Sequence, residues 1–170
     1  SGGSVYIHCG TFSGTGSIKA NGNPAVFAPQ GTGNGGGGRI AVVFTNLAAQ
    51  AALSPTVAFD LGRGPVGSPG VGTLYFNSPA FYPTTTVAGS WALTIPGFTE
   101  WRPDSFTINS GTVQFPAGFT FEPAVLTVAA GSELLLNNDV VLSCGSLSVG
   151  GTLKMQYPFS HSGDITLSGG

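Results

Sequence analysis

Charge is the scarcest feature of this sequence. Of 170 residues, five are Lys or Arg and seven are Asp or Glu, which is 7% of the chain and a net charge of −2, where ordinary soluble domains carry about 25%. Five cations are too few for electrostatic binding of nucleic acid. The Glu and Lys that a helical bundle or coiled coil needs are missing as well. Long apolar runs are absent. The best, Ile40 to Phe44, is far too short to cross a bilayer. Helix formers cluster only from Asn46 to Leu53, ahead of Pro55, enough for a short turn of helix. Cysteine is limited to Cys9 and Cys144, far apart in the chain and without a CxxC motif. With His8 and His161 scattered, no structural zinc set is expected. The chain opens Ser-Gly-Gly with neither a starting Met nor a signal-peptide pattern, and reads as a mature product or an excised segment.

What fills the space is glycine, proline and small polar residues around a substantial apolar fraction. There are 28 Gly and 12 Pro, yet 41% of residues are hydrophobic. That fraction argues against a disordered chain, and glycine lacks the period of three that collagen needs. A surface of Gly, Ser, Thr and Asn suits secreted, wall or fibre proteins, so the expected location is extracellular or at the cell surface.

Repetition is the main signal, and it comes in two registers. In the first half Gly3-Ser-Val-Tyr-Ile-His8, Gly38-Arg-Ile-Ala-Val-Val43 and Gly72-Thr-Leu-Tyr-Phe-Asn77 align, and Val5, Ile40 and Leu74 follow one another at nearly equal spacing. In the second half the period shortens. Phe106, Leu126, Leu147 and Ile165 are spaced 20, 21 and 18, Val113, Leu134 and Leu153 are spaced 21 and 19, and Phe119 and Val140 are 21 apart. Three interleaved series with one period predict three short strands per turn of about 20 residues.

The predicted fold is therefore all-β, a right-handed parallel β-helix or solenoid. Wide, loop-bearing coils are expected in the first half and three-strand coils in the second. Each strand would turn alternate residues inward, and stacked coils would share one core. A β-sandwich is the alternative. It explains strands but not a regular short period. One domain over 1–170 is expected, with a soft change of register near 90 that separates glycine-rich wide coils (1–90) from regular short ones (91–170). Ala25 to Gly37, Asn46 to Gly70 and Ser78 to Gly89 are read as inserted loops.

The stretch from Gly2-Gly-Ser-Val-Tyr-Ile-His-Cys to Asn21-Gly22, the glycine run, Gly37-Gly-Arg-Ile-Ala-Val-Val-Phe44 and Val71-Gly-Thr-Leu-Tyr-Phe-Asn-Ser78 resemble glycine-rich repeats of very large secreted or cell-surface proteins, mostly bacterial. Leu126-Thr-Val-Ala-Ala-Gly-Ser-Glu-Leu-Leu-Leu136 and Leu147-Ser-Val-Gly-Gly-Thr-Leu153 are similar to adhesin and autotransporter-passenger β-helices. The resemblance implies display, adhesion or scaffolding, and carries no catalytic signature.

Motif by motif, the functional signals are thin. Gly31-Thr-Gly-Asn-Gly-Gly36 fits GxGxxG but leads into a strand pattern, so pyrophosphate has no helix N-terminus to meet. Glu100 and Asp104, near Trp101 and Arg102, are the best local acid pair for a polysaccharide lyase or hydrolase, and the bland reading is a polar loop with a salt link. Arg39, Asp60 and Arg63 would meet only as a surface ion pair. Phe81, Tyr82, Trp91, Phe98 and Trp101 offer flat faces for a surface glycan or a neighbouring subunit, against simple packing of a loop. Asn77-Ser-Pro and Asn109-Ser-Gly fail as N-glycosylation sites, which leaves O-linked sugar on Thr84 to Thr86.

The expected function is an extracellular structural subunit that stacks head-to-tail on copies of itself, or on neighbouring repeats of a longer chain, into a filament or surface layer. Cys9 and Cys144, one near each end, are candidates for a disulfide between subunits. An adhesive or carbohydrate-binding module is the alternative. Neither cofactor nor metal, and neither nucleic acid nor membrane insertion, is expected.

Overall fold

The computed structural model describes residues 2–22, 36–53, 56–62, 70–81, 85–136, 139–155, 159–161 and 163–168. The chain is all-β, and within each of its two units every strand pair among the described residues is parallel. It forms two compact units, Ser1–Pro83 with Gly89–Pro96, and Thr84–Ala88 with Gly97–Gly170.

In the first unit, β1 (Ser4–Cys9), β2 (Ser17–Lys19), β3 (Arg39–Phe44), β4 (Ala58–Asp60) and β5 (Thr73–Phe76) follow one another. Next in the chain comes β6 (Thr86–Ala88), which belongs to the second unit, and then β7 (Trp91–Thr94), which returns to the first. Strands β1, β3, β5 and β7 lie side by side with Val5, Ile40, Leu74 and Leu93 in one column. Alternate side chains turn inward, so Ile40, Val42, Leu74, Phe76 and Leu93 are at most 2% exposed. The three aligned segments of the sequence are thus neighbours in the register that their spacing predicted.

The glycines that open the second and third segments have a steric cause. Arg39 N donates to Gly3 O at 3.0 Å, Thr73 N to Gly38 O at 3.1 Å and Ala92 N to Gly72 O at 2.8 Å. A Cβ on Gly38 would collide with the carbonyl oxygens of Gly3 and Ala20, and one on Gly72 with the carbonyl oxygen of Gly38.

The segments read as insertions carry structure of their own. A short helix, α1 (Leu47–Ala51), starts at Asn46, whose Oδ1 accepts from Ala49 N at 3.1 Å. Beyond it β4 pairs with β2, which places Phe59 beside Ile18 and buries it. Strand β6 buries Val87. Each of these strands is three residues long, too short to stand out as an alternating pattern. Most of the predicted insertion at Ala25 to Gly37 lies outside the described residues.

The second unit continues with β8 (Glu100–Trp101), β9 (Ser105–Ser110), β10 (Thr112–Gln114), β11 (Thr120–Phe121), β12 (Val125–Val128) and β13 (Glu133–Leu136). Then come β14 (Val141–Cys144), β15 (Ser146–Val149), β16 (Thr152–Met155), β17 (Ser160–His161) and β18 (Ile165–Leu167). Within this unit they pair in the orders β8-β11-β14-β17, β6-β9-β12-β15-β18 and β10-β13-β16. From β8 onward the chain visits the three sets in unbroken rotation. Phe106, Leu126, Leu147 and Ile165 stand in one column, and Val113, Leu134 and Leu153 in another. Thr120 pairs with Val141, in the register of the predicted Phe119–Val140 pair. The core is rich in phenylalanine, with Phe115 stacked on Phe119 at 4.9 Å and Phe106 edge-on to Phe121 at 5.1 Å.

Candidate functional site

Parallel pairing of β8 with β11 sets Trp101 beside Phe121, and so brings the following residues, Arg102 and Glu122, together. Arg102 Nε lies 2.8 Å from Glu122 Oε2 and 3.7 Å from Glu100 Oε1. Two carboxylates thus share one guanidinium, which is the salt link that the polar-loop reading of this stretch expected. Glu122, the residue that the sequence reading did not connect, arrives from the next strand of the same set. The arginine and Glu100 side chains are both 62% exposed, so this is a solvated ion trio of small energetic weight.

Among the described residues, Asp60 is in contact with an amide side chain and a backbone N–H. Its Oδ2 accepts from Asn21 Nδ2 at 2.7 Å and its Oδ1 from Ser90 N at 3.3 Å, while Asn21 Oδ1 accepts from Gly62 N at 2.8 Å. Arg39 is an exposed position of β3, and Arg63 lies outside the described residues.

The aromatic stretch divides. Trp91 is 3% exposed in β7 and belongs to the core, so the expectation of a flat face open to a glycan fails there. An inward position of a half-buried strand faces the other apolar side chains, not water. Phe98 and Trp101 are half-buried. Phe98 meets Phe119 edge-on at 5.3 Å, and Trp101 meets Phe106 edge-on at 5.2 Å and Phe121 at 5.8 Å. Phe81 ends a single 3-10 turn, Pro79–Phe81. Tyr82 and Thr84 lie outside the described residues, and Thr86 opens β6.

Both cysteines are free thiols. Cys9 is half-buried at the end of β1. Cys144 is an inward residue of β14, 3% exposed, so a bond to another molecule requires that side chain to swing outward. Burial pushes its thiol up from the ordinary value. Pairing of β14 with β17 sets it opposite His161. The Cys144 Sγ to His161 Nδ1 distance is 3.5 Å, and His161 Nε2 is 2.7 Å from Gly163 O.

A buried carboxylate completes the set. Glu133 is 9% exposed and sits in one column with Thr112 and Thr152. Its Oε1 is 2.5 Å from Lys154 Nζ, and its Oε2 accepts from Thr112 Oγ1 at 3.2 Å. The signal for it was in the sequence, one position before each of Val113, Leu134 and Leu153. A carboxylate given both a cation and a hydroxyl is a structural clasp.

One further feature belongs to the last strands of the three sets. Phe106, Leu126 and Leu147 are 0%, 0% and 3% exposed, yet Ile165, next in their column, is 50% exposed. Val128 and Val149 likewise give way to Leu167, 75% exposed. Met155 in β16 is 36% exposed.

Among the described residues, no group of three or more His, Cys, Asp or Glu converges as a metal site, and no helix is long and apolar enough to cross a membrane. The chain matches no protein-family model, no curated protein and no solved structure.

Proposed function

We propose that the chain is a structural element of an extracellular or cell-surface assembly, a right-handed parallel β-helix whose coils stack on further coils of the same kind. Those coils come from a second copy set head-to-tail or from neighbouring repeats of a longer chain. The rotation of β8 to β18 through three parallel sets, at the short period of the second half, supports the β-helix. Antiparallel hairpins, the basis of a sandwich, have no counterpart among the described residues.

The observation that carries the stacking is the inward column that turns from buried at Leu147 to half exposed at Ile165. A further layer would bury Ile165 and Leu167 as Leu126 and Val128 are buried. It would also pair the open N–H and C=O groups of β16, β17 and β18, which lie at the margins of their sets. The low charge of the chain leaves little repulsion between copies.

Sedimentation across a wide concentration range, joined to negative-stain electron microscopy, tests this. Concentration-dependent oligomers or fibres that are lost on Leu167→Asp support self-stacking. A monomer that turns stable and soluble only when the chain is extended by its own flanking repeats supports stacking within a longer chain. A monomer indifferent to concentration, to Leu167→Asp and to extension defeats the proposal.

A further inference from the structure

Cys144 and His161 form the one cluster of thiol and imidazole among the described residues, and stacking makes no use of it. Their spacing suits a hydrogen bond, and it suits equally two ligands of one ion. A tetrahedral zinc-type ion bonds sulfur at about 2.3 Å and imidazole nitrogen at about 2.0–2.1 Å, which separates the two donor atoms by about 3.5 Å. Sγ and Nδ1 stand 3.5 Å apart.

The second shell is arranged in the same sense. His161 Nε2 lies 2.7 Å from Gly163 O, and a carbonyl can only accept, so in the neutral ring Nε2 carries the proton and Nδ1 presents its lone pair to Cys144. A histidine that binds metal commonly donates its other N–H to a carbonyl or carboxylate, which fixes both tautomer and ring orientation. Sulfur with imidazole nitrogen is the donor pair preferred by zinc and its softer congeners.

We propose that Cys144 Sγ and His161 Nδ1 are two ligands of a binding site for a zinc-type divalent ion, with water completing the tetrahedral shell. Binding replaces the thiol proton by the metal and releases that proton to solvent, with no change of oxidation state. The ion would tie β17 to β14. Strand β17 is two residues long and marginal to its set, so it gains most from a clip. Nothing in this site depends on the stacking of coils, and either proposal can fail without the other.

The test is titration of the reduced full chain with cadmium, read by the ultraviolet charge-transfer band of a cadmium thiolate. The expected result is one cadmium per chain, with the band kept in Cys9→Ser, abolished in Cys144→Ser and at least tenfold weaker in apparent affinity in His161→Gln. Zinc should compete the band away and raise the thermal midpoint of the wild type but not of His161→Gln. Should Cys144→Ser fail to fold, His161→Gln, at a half-buried marginal position, decides alone. The proposal is overturned by no band in the wild type, by a band that Cys9→Ser removes and Cys144→Ser keeps, or by a band and a zinc response indifferent to His161→Gln.

Discussion

Ile165 occupies the place beside Leu147 that Leu147 occupies beside Leu126, yet it is 50% exposed where Leu147 is 3% exposed. Position in the column does not differ between them; the presence of a covering layer does. Burying the wider column contributes about 25 cal/mol per Å² of apolar surface, so the same side-chain type has very different energetic weight at successive turns.

Leu126→Ala is therefore expected to destabilise the second unit by about 2–5 kcal/mol, the range of fully buried leucines truncated to alanine. Leu167→Ala should change stability by no more than about 0.5 kcal/mol, as exposed substitutions do. Urea unfolding of both variants checks this, and equal costs would contradict the described burial.

Gly38→Ala places a methyl group against the carbonyl oxygens of Gly3 and Ala20. Backbone cannot move aside as a flexible side chain does, and the cost should reach at least the upper part of the about 1–3 kcal/mol seen for overpacking. At Gly3 a Cβ meets nothing within 4 Å, so Gly3→Ala should lie within about 0.5 kcal/mol of the parent. Thermal unfolding of the pair separates crowding from a general preference for glycine.

Gln50 is the wholly buried polar residue of α1, 0% exposed. Its Oε1 accepts from Phe12 N at 2.6 Å and its Nε2 donates to Phe12 O at 2.9 Å. Gln50→Ala leaves both backbone groups without these partners, at an expected cost of about 1–3 kcal/mol. Gln50→Glu, which cannot donate to Phe12 O when ionised, should cost more at neutral pH than at acid pH. Chemical denaturation at two pH values reads this out.

The two thiols should differ in alkylation. Under native conditions Cys9 is expected to react first, because Cys144 is buried and its thiol is held protonated by that burial. The folded thiol value lies above the unfolded one. The associated stability is thus full below the unfolded value, about 8.5, and is lost as pH rises through the folded value. Mass spectrometry after iodoacetamide treatment, and alkaline unfolding of Cys144→Ala with its slope flattened, are the measurements.

Much of the architecture was legible because inward columns repeat their residue type. Val5, Ile40 and Leu74, and Phe106, Leu126 and Leu147, announce their pairing by spacing alone. Strands β2, β4 and β6 were not legible, since each of these three-residue strands turns only its middle side chain inward and Phe59 or Val87 alone shows no period. The pairing of Asn77 with both backbone groups of Phe44, at 3.1 and 3.0 Å, was hidden for another reason. An amide side chain that stands in for a strand residue leaves no apolar signature. The meeting of Cys144 with His161 depended on β17, which no repeat marked.

Because Val125–Val128 meets Ser105–Ile108 on one side and Ser146–Val149 on the other in the same parallel manner, the strand has no individual partner, only a kind of partner. Loss or duplication of one whole period leaves every remaining strand facing a surface of the geometry it had before. A deletion of half a period would set unlike strands side by side. Such a chain can vary in length by whole steps while point changes at its inward positions stay costly.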